Sequence, residues 1–167
     1  MDWSNLNLHG DAPDCAFEAL TGILFERWCR REFSSQIQQV VFVNGAGGDG
    51  GVEAYVKLDN GKLIGLQAKW FREPLGSSQI TQIKKSLKTA AKVRDNLTRY
   101  IVTVPRDLSD GKTKNTQQKT ERDRWNEFIE QTKVDYPNVT IDLWGETRIA
   151  DLLAELGSEG LGRYWFQ

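Results

Sequence analysis

Apolar residues along this chain recur at two different periods, and the changes of period mark its elements. Phe17, Leu20, Leu24, Phe25 and Trp28 repeat at helical spacing behind a start signal of Asp11, Pro13 and Asp14, which predicts a helix with one core-facing stripe. Residues 37–43 are a β-branched run that predicts a strand. Residues 52–58 and 63–70 alternate with period two on either side of Asp59-Asn60-Gly61, a composition suited to the positive-φ positions of a tight hairpin turn. A second amphipathic helix is expected after a cap at Ser77 or Ser78, with Ile80, Ile83, Leu87 and Ala91 inward and Lys84, Lys85, Lys88 and Lys92 outward. A strand at 99–104, a polar loop at 106–118, a helix at 119–133 burying Trp125, Phe128 and Ile129, and a strand at 139–144 follow. The last expected element is a helix from Thr147 carrying Ile149, Leu152 and Leu153. The order α-β-β-β-α-β-α-β-α describes an α/β fold, a mixed sheet with a central hairpin and helices on both faces.

The hairpin has a chemical consequence. Side chains of a strand alternate between faces, so Gln67 and Lys69 share one side while Ile64, Leu66, Ala68 and Trp70 take the other. Antiparallel pairing about Asn60 brings Glu53 close to the level of Gln67. An acid then faces an amide and a lysine, with a second acid, Asp49, in the glycine loop Gly45-Ala46-Gly47-Gly48-Asp49-Gly50-Gly51 just before the strand. On the first helix, Glu18 lies at the border of the apolar stripe and is placed to reach the sheet edge.

Charge sharpens the picture. The net charge is −1 over 167 residues, but between Lys62 and Arg106 ten basic residues stand against only Glu73 and Asp95. A local positive surface of this kind suits a polyanion, and Lys84, Lys85, Lys88 and Arg72 are the candidate nucleic-acid contacts. Residues 121–159 are acidic on balance, so one basic and one acidic side are expected.

Composition excludes several chemistries. A single histidine, His9, leaves a Cys/His zinc site or a Ser-His-Asp hydrolase without its parts. The only two cysteines, Cys15 and Cys29, fall on one helix too far apart for a disulfide and are expected as buried free thiols. Neither a signal peptide nor a membrane-length apolar run is present, which makes the cytoplasm the expected location. The string Gly45-Ala46-Gly47-Gly48-Asp49-Gly50 matches a dinucleotide-binding fingerprint, but that motif must open a helix and here a strand follows, so a nucleotide-binding module is the weakest reading.

Phosphodiester hydrolysis needs charge neutralisation on the phosphate, an activated water and a stabilised leaving oxygen, all of which Mg²⁺ held by hard oxygen ligands can supply. Glu53, Asp49, the Gln67 carbonyl and Glu18 are such ligands, and Lys69 beside them could orient the water and offset developing negative charge.

Gly-Asp-Gly-Gly-Val-Glu at 48–53 followed by Gln-Ala-Lys at 67–69 resembles the PD-(D/E)xK nuclease superfamily, and within it the Mrr-like restriction endonucleases and related nuclease domains fused to bacterial antiphage sensors. Residues 14–105 cover the family pattern: a helix with a glutamate, a Gly-Asp-Gly-Gly turn entering a strand, a Gln-x-Lys strand, then a helix and another strand. The resemblance implies a restriction-endonuclease-like fold, a Mg²⁺ cofactor for which Mn²⁺ can substitute, and metal or water contacts from Glu18, Glu53, Gln67 and Lys69. It also implies double-stranded DNA as substrate, a homodimer or higher oligomer, and a fused or partner sensor domain in restriction or antiphage defence. The family usually has aspartate where this chain has Glu53, which leaves Glu53 and Asp49 both in place as the principal acid. A non-catalytic nuclease-fold module for nucleic-acid binding or assembly is the alternative. Residues 1–167 are read as a single nuclease domain, and three adjacent aromatics at its end suggest the N-terminal module of a longer protein.

Overall fold

The computed structural model describes residues 1–43, 50–111, 118–156 and 159–167. Among these, β1 (Ile37–Phe42), β2 (Ala54–Leu58), β3 (Leu63–Ala68), β4 (Leu97–Thr103) and β5 (Thr140–Trp144) form one sheet whose spatial order equals their chain order. β1, β2 and β3 pair antiparallel, whereas β3, β4 and β5 pair parallel. The connections account for the change of sense. A short turn can only reverse the chain, so β2 and β3 make a hairpin, whereas the helices α2 (Ser77–Val93) and α3 (Glu121–Asp135) carry it back for parallel entry into β4 and β5.

The hairpin turn differs in detail from the expectation that several of its residues take positive φ. Only Gly61 does, at 82°. Its N–H bonds the Leu58 carbonyl at 2.9 Å, and the Asn60 side chain instead accepts from the Lys62 N–H at 3.0 Å. An asparagine that hydrogen-bonds the backbone two residues on has no need of the left-handed region.

Two apolar cores lie on opposite faces of the sheet. One packs α1 (Pro13–Phe33), α4 (Glu146–Leu156) and α5 (Glu159–Phe166) on Ala54, Val56, Ile64, Leu66, Ala68 and Ile101. The other packs α2 and α3 on Val52, Leu63, Leu97, Tyr100 and Val102. The alternation read along residues 63–70 is therefore observed, with Ile64, Leu66, Ala68 and Trp70 on the α1 side.

Several local expectations are corrected. Gly76, not Ser77 or Ser78, caps α2, because the Gln79 side chain reaches back to accept from the Gly76 N–H at 3.0 Å. Ala90 rather than Ala91 completes its buried stripe, three residues after Leu87 and so on the same face. Cys15 is exposed in the first turn of α1, while Cys29 is buried and its thiol pKa is pushed upward by that burial. Helix α5 lies beyond the last element expected. Within its aromatic run, Trp165 is buried while Tyr164 is 54% exposed and stacks on His9 with 3.9 Å between ring centroids.

A buried acid fixes the loops at one end of the sheet. Glu121, the first residue of α3, accepts from the Leu75 N–H at 2.5 Å, the Ser109 N–H at 2.9 Å and the Arg106 guanidinium at 2.6 Å. It thereby ties the segments before α2 and after β4 to α3. Burial raises its carboxyl pKa, but the amide hydrogen bonds and the Arg106 charge outweigh burial and hold it below its ordinary value.

Candidate active site

Glu53 and Gln67 lie just at the strand ends, and the ladder carries both into register. Ala54 pairs with Leu66, so the next level outward sets Glu53 against Gln67. Glu53 is held from both sides, its N–H bonded to the Leu66 carbonyl at 2.8 Å and its carbonyl accepting from Val43 at 2.8 Å. The Gln67 side-chain amide, fully buried, donates to a Glu53 carboxylate oxygen. Lys69 keeps the strand alternation because its N–H bonds the Thr103 carbonyl of β4 at 2.9 Å. Its half-exposed side chain therefore emerges on the Gln67 face.

Two groups outside the sequence motifs, Tyr100 and Arg94, and one glycine within them support this pair. Tyr100, buried on β4, donates its hydroxyl to the Gly51 carbonyl at 2.7 Å and stands 3.4 Å from Oε1 of Gln67. Arg94, at the end of α2, donates to the Gly50 carbonyl at 2.8 Å and lies 4.9 Å above the Tyr55 ring. Gly51 is pressed against α2 so closely that a Cβ there would stand 2.1 Å from the Ser86 carbonyl oxygen, and its φ of 81° is one that L side chains rarely adopt. The turn leading to Glu53 is thus fixed by β4, by the end of α2 and by the backbone of that helix.

The other expected residues are distributed as follows. Glu18 is half-buried on α1, beside Phe17, whose ring meets that of Trp70 at 5.3 Å, one residue beyond Lys69. Asp49 lies outside the described residues. Lys85 lines the same groove as Lys69. Lys84 and Lys88 instead border grooves between α2 and α3, together with Glu127 and Asp135. Arg72 lies 5.3 Å above the Trp70 ring, which belongs to the α1 side of the sheet.

Among the described residues no three His, Cys, Asp or Glu side chains gather as a metal site. The donors around Gln67 nevertheless suit a hard cation. Its amide nitrogen donates to Glu53 and to the Ala68 carbonyl oxygen, the latter at 3.3 Å, so two oxygens converge on this one NH2 group. Turning the amide over would place its oxygen with those two and its nitrogen beside the Tyr100 oxygen, whose proton is directed at Gly51. One carboxylate, one amide oxygen and one carbonyl, completed by water, form a donor set that Mg²⁺ accepts.

The family model described as restriction endonuclease, the Mrr catalytic family, matches residues 17–118. The chain belongs to this restriction endonuclease family. No curated protein matches it.

The matched region of this restriction endonuclease domain runs from α1 through the hairpin, α2 and β4, and so contains every candidate residue above. Sequence reasoning had overlooked Tyr100, Arg94 and the Ala68 carbonyl. Tyr100 offered a faint signal, since a tyrosine in an otherwise apolar strand needs a partner for its hydroxyl. A backbone carbonyl offers none.

Proposed function

We propose that this restriction-type nuclease domain is a Mg²⁺-dependent DNA endonuclease that hydrolyses phosphodiester bonds at the Glu53, Gln67 and Lys69 constellation, with Mn²⁺ able to substitute. The observation that carries the reading is the convergence of Glu53 and Gln67, joined by a hydrogen bond, with Lys69 on the same strand face beside an open groove.

Glu53, the turned-over Gln67 amide and the Ala68 carbonyl would hold the cation, with Glu18 and Asp49 as the remaining candidate ligands. When bound, Mg²⁺ supplies charge neutralisation at the scissile phosphate and lowers the cost of activating a water. Lys69 attracts the phosphate, offsets the charge that builds on it and can hold the attacking water through a donated hydrogen bond. Tyr100 and Arg94 act before the chemistry, fixing the Gly50-Gly51 turn so that Glu53 meets the amide. Duplex cleavage by a chain with a single site calls for two copies, which supports a homodimer or higher oligomer as the active form. Membership of a restriction endonuclease family supports an effector role in restriction, and we extend this to antiphage defence in the cytoplasm with a fused or partner sensor domain. Among the described residues no helix is long and apolar enough to cross a membrane.

The lack of a three-acid cluster among the described residues favours a second reading, a nuclease-fold module that binds DNA without cutting it. Incubating supercoiled plasmid with the purified chain in Mg²⁺, Mn²⁺ or EDTA, over a range of concentrations and with forced dimerisation, separates the two. Nicking or linearisation with either metal and not in EDTA supports the endonuclease. Retained DNA binding with no cleavage in any arm supports the binding module.

A further inference from the structure

We infer that one polar stripe of α2, made by Gln82, Lys85, Ser86 and Thr89, is the track that holds the phosphate backbone of the bound DNA strand next to the site of hydrolysis. The inference rests on the proposed function and specifies how its substrate is held.

Three observations select this stripe. The first is continuity: a groove of about 330 Å³ is lined by Gly51, Lys69, Gln82, Lys85, Ser86 and Thr89, so it begins at the proposed catalytic lysine and runs along the helix. The second is spacing. Positions 82, 85, 86 and 89 fall on one face of a helix, away from the buried Ile80 and Leu87, and each carries a side chain able to donate a hydrogen bond, Thr89 by releasing the bond its hydroxyl makes to the Lys85 carbonyl at 3.1 Å. Lys92, seven residues after Lys85, continues the line two turns on.

The third observation is charge. Helix α2 has no acidic residue, and among the described residues no carboxylate lines this groove. The grooves on its other side, which Lys84 and Lys88 border, hold Glu127 and Asp135 of α3 together with the cations Lys119 and Arg124. A polyanion entering there would meet carboxylates among the cations, whereas along the Lys85 stripe the described residues offer two ammonium groups and neutral donors alone. The four lysines of α2 thus divide, and the sequence alone, which shows one basic helix, gave no basis for dividing them.

The test is anisotropy titration of a fluorescent DNA duplex with the full chain in EDTA across a salt series, which reads binding without cleavage. Lys85→Ala should weaken binding and lower the slope of log affinity against log salt by about one ion. The double variant Gln82→Ala with Thr89→Ala should weaken binding about 3- to 10-fold with the salt slope unchanged, because neutral donors release no counterions. Lys84→Ala and Lys88→Ala should each shift affinity less than about twofold, as rim charges do. The track is overturned if Lys84→Ala or Lys88→Ala matches Lys85→Ala, if Lys85→Ala leaves the slope intact, or if the chain binds no duplex. Metal-dependent cleavage by the wild-type chain that Lys85→Ala leaves unchanged would overturn the track alone. Binding through Lys85 with no metal-dependent cleavage would overturn the catalytic reading alone. These positions are exposed or half-exposed, and circular dichroism of each variant checks that the helix is kept.

Discussion

The hydroxyl of Tyr100 donates to the carbonyl of Gly51 at 2.7 Å and stands 3.4 Å from Oε1 of Gln67. A single buried group on β4 therefore touches both the turn that delivers Glu53 and the amide that meets Glu53.

Removing that hydroxyl should harm the site more than the fold. Tyr100→Phe keeps the ring in the core and takes one donor from a buried carbonyl, a loss of about 1–3 kcal/mol in unfolding free energy. Removal of an outer partner that orients a metal ligand typically costs about 10- to 100-fold in metal affinity. Chemical denaturation and Mn²⁺ titration of the same variant measure the two effects. A metal affinity equal to wild type would remove Tyr100 from the account of the site.

Two glycines with nearly the same φ should respond differently to alanine. Gly51→Ala meets the Ser86 carbonyl oxygen at 2.1 Å and the Ala90 nitrogen at 2.7 Å, both backbone atoms of α2 that cannot step aside alone. Gly61→Ala meets nothing within 4 Å and bears only the left-handed backbone cost, about 1–2 kcal/mol. Thermal unfolding should therefore show a modest loss for Gly61→Ala and a much larger one, or no folded protein, for Gly51→Ala. Equal losses would mean that α2 does not press on the turn.

Glu121 gives a pH dependence of definite sign. Its folded pKa lies below its unfolded value, so the carboxylate contributes stability that is fully present above the unfolded value and is lost as pH falls through the folded one. Glu121→Gln places an amide donor among the donors from Arg106, Leu75 and Ser109 and should cost at least about 2 kcal/mol near neutral pH. Urea unfolding of both proteins from neutral pH into the acid range should show that difference shrinking below the ordinary carboxylate range. A difference that is constant with pH would show that packing, not charge, is responsible.

Much of this organisation was legible in the sequence because it rests on period and register. The helical stripe from Phe17 to Trp28 located α1, and alternation on either side of Asn60 placed Glu53 level with Gln67 and put Lys69 on the same face. These follow from backbone geometry that any strand obeys. What was not legible depends on distant parts meeting. Nothing near Gly51 announces that Tyr100, 49 residues later, bonds its carbonyl. The division of Lys85 from Lys84 and Lys88 requires knowing that α3 brings its carboxylates to one side of α2. Helix α5 was overlooked because its two glycines weaken local helix propensity, and burial of Leu161 and Trp165 supports it instead. Asp49 lies outside the described residues, so its sharing of the acid's role with Glu53 remains part of the proposal.

The central claim is that Glu53, Gln67 and Lys69 form a metal-dependent hydrolytic site. Its most direct test measures the plasmid cleavage rate in Mg²⁺ for the wild-type chain, Lys69→Ala and Glu53→Ala, with DNA affinity measured alongside in EDTA. The account predicts metal-dependent cleavage by the wild type, a loss of at least about 100-fold in rate for each variant, and affinity changed much less than rate, because an interaction made chiefly in the transition state governs rate rather than binding. Wild-type cleavage that persists in Lys69→Ala and Glu53→Ala would contradict it.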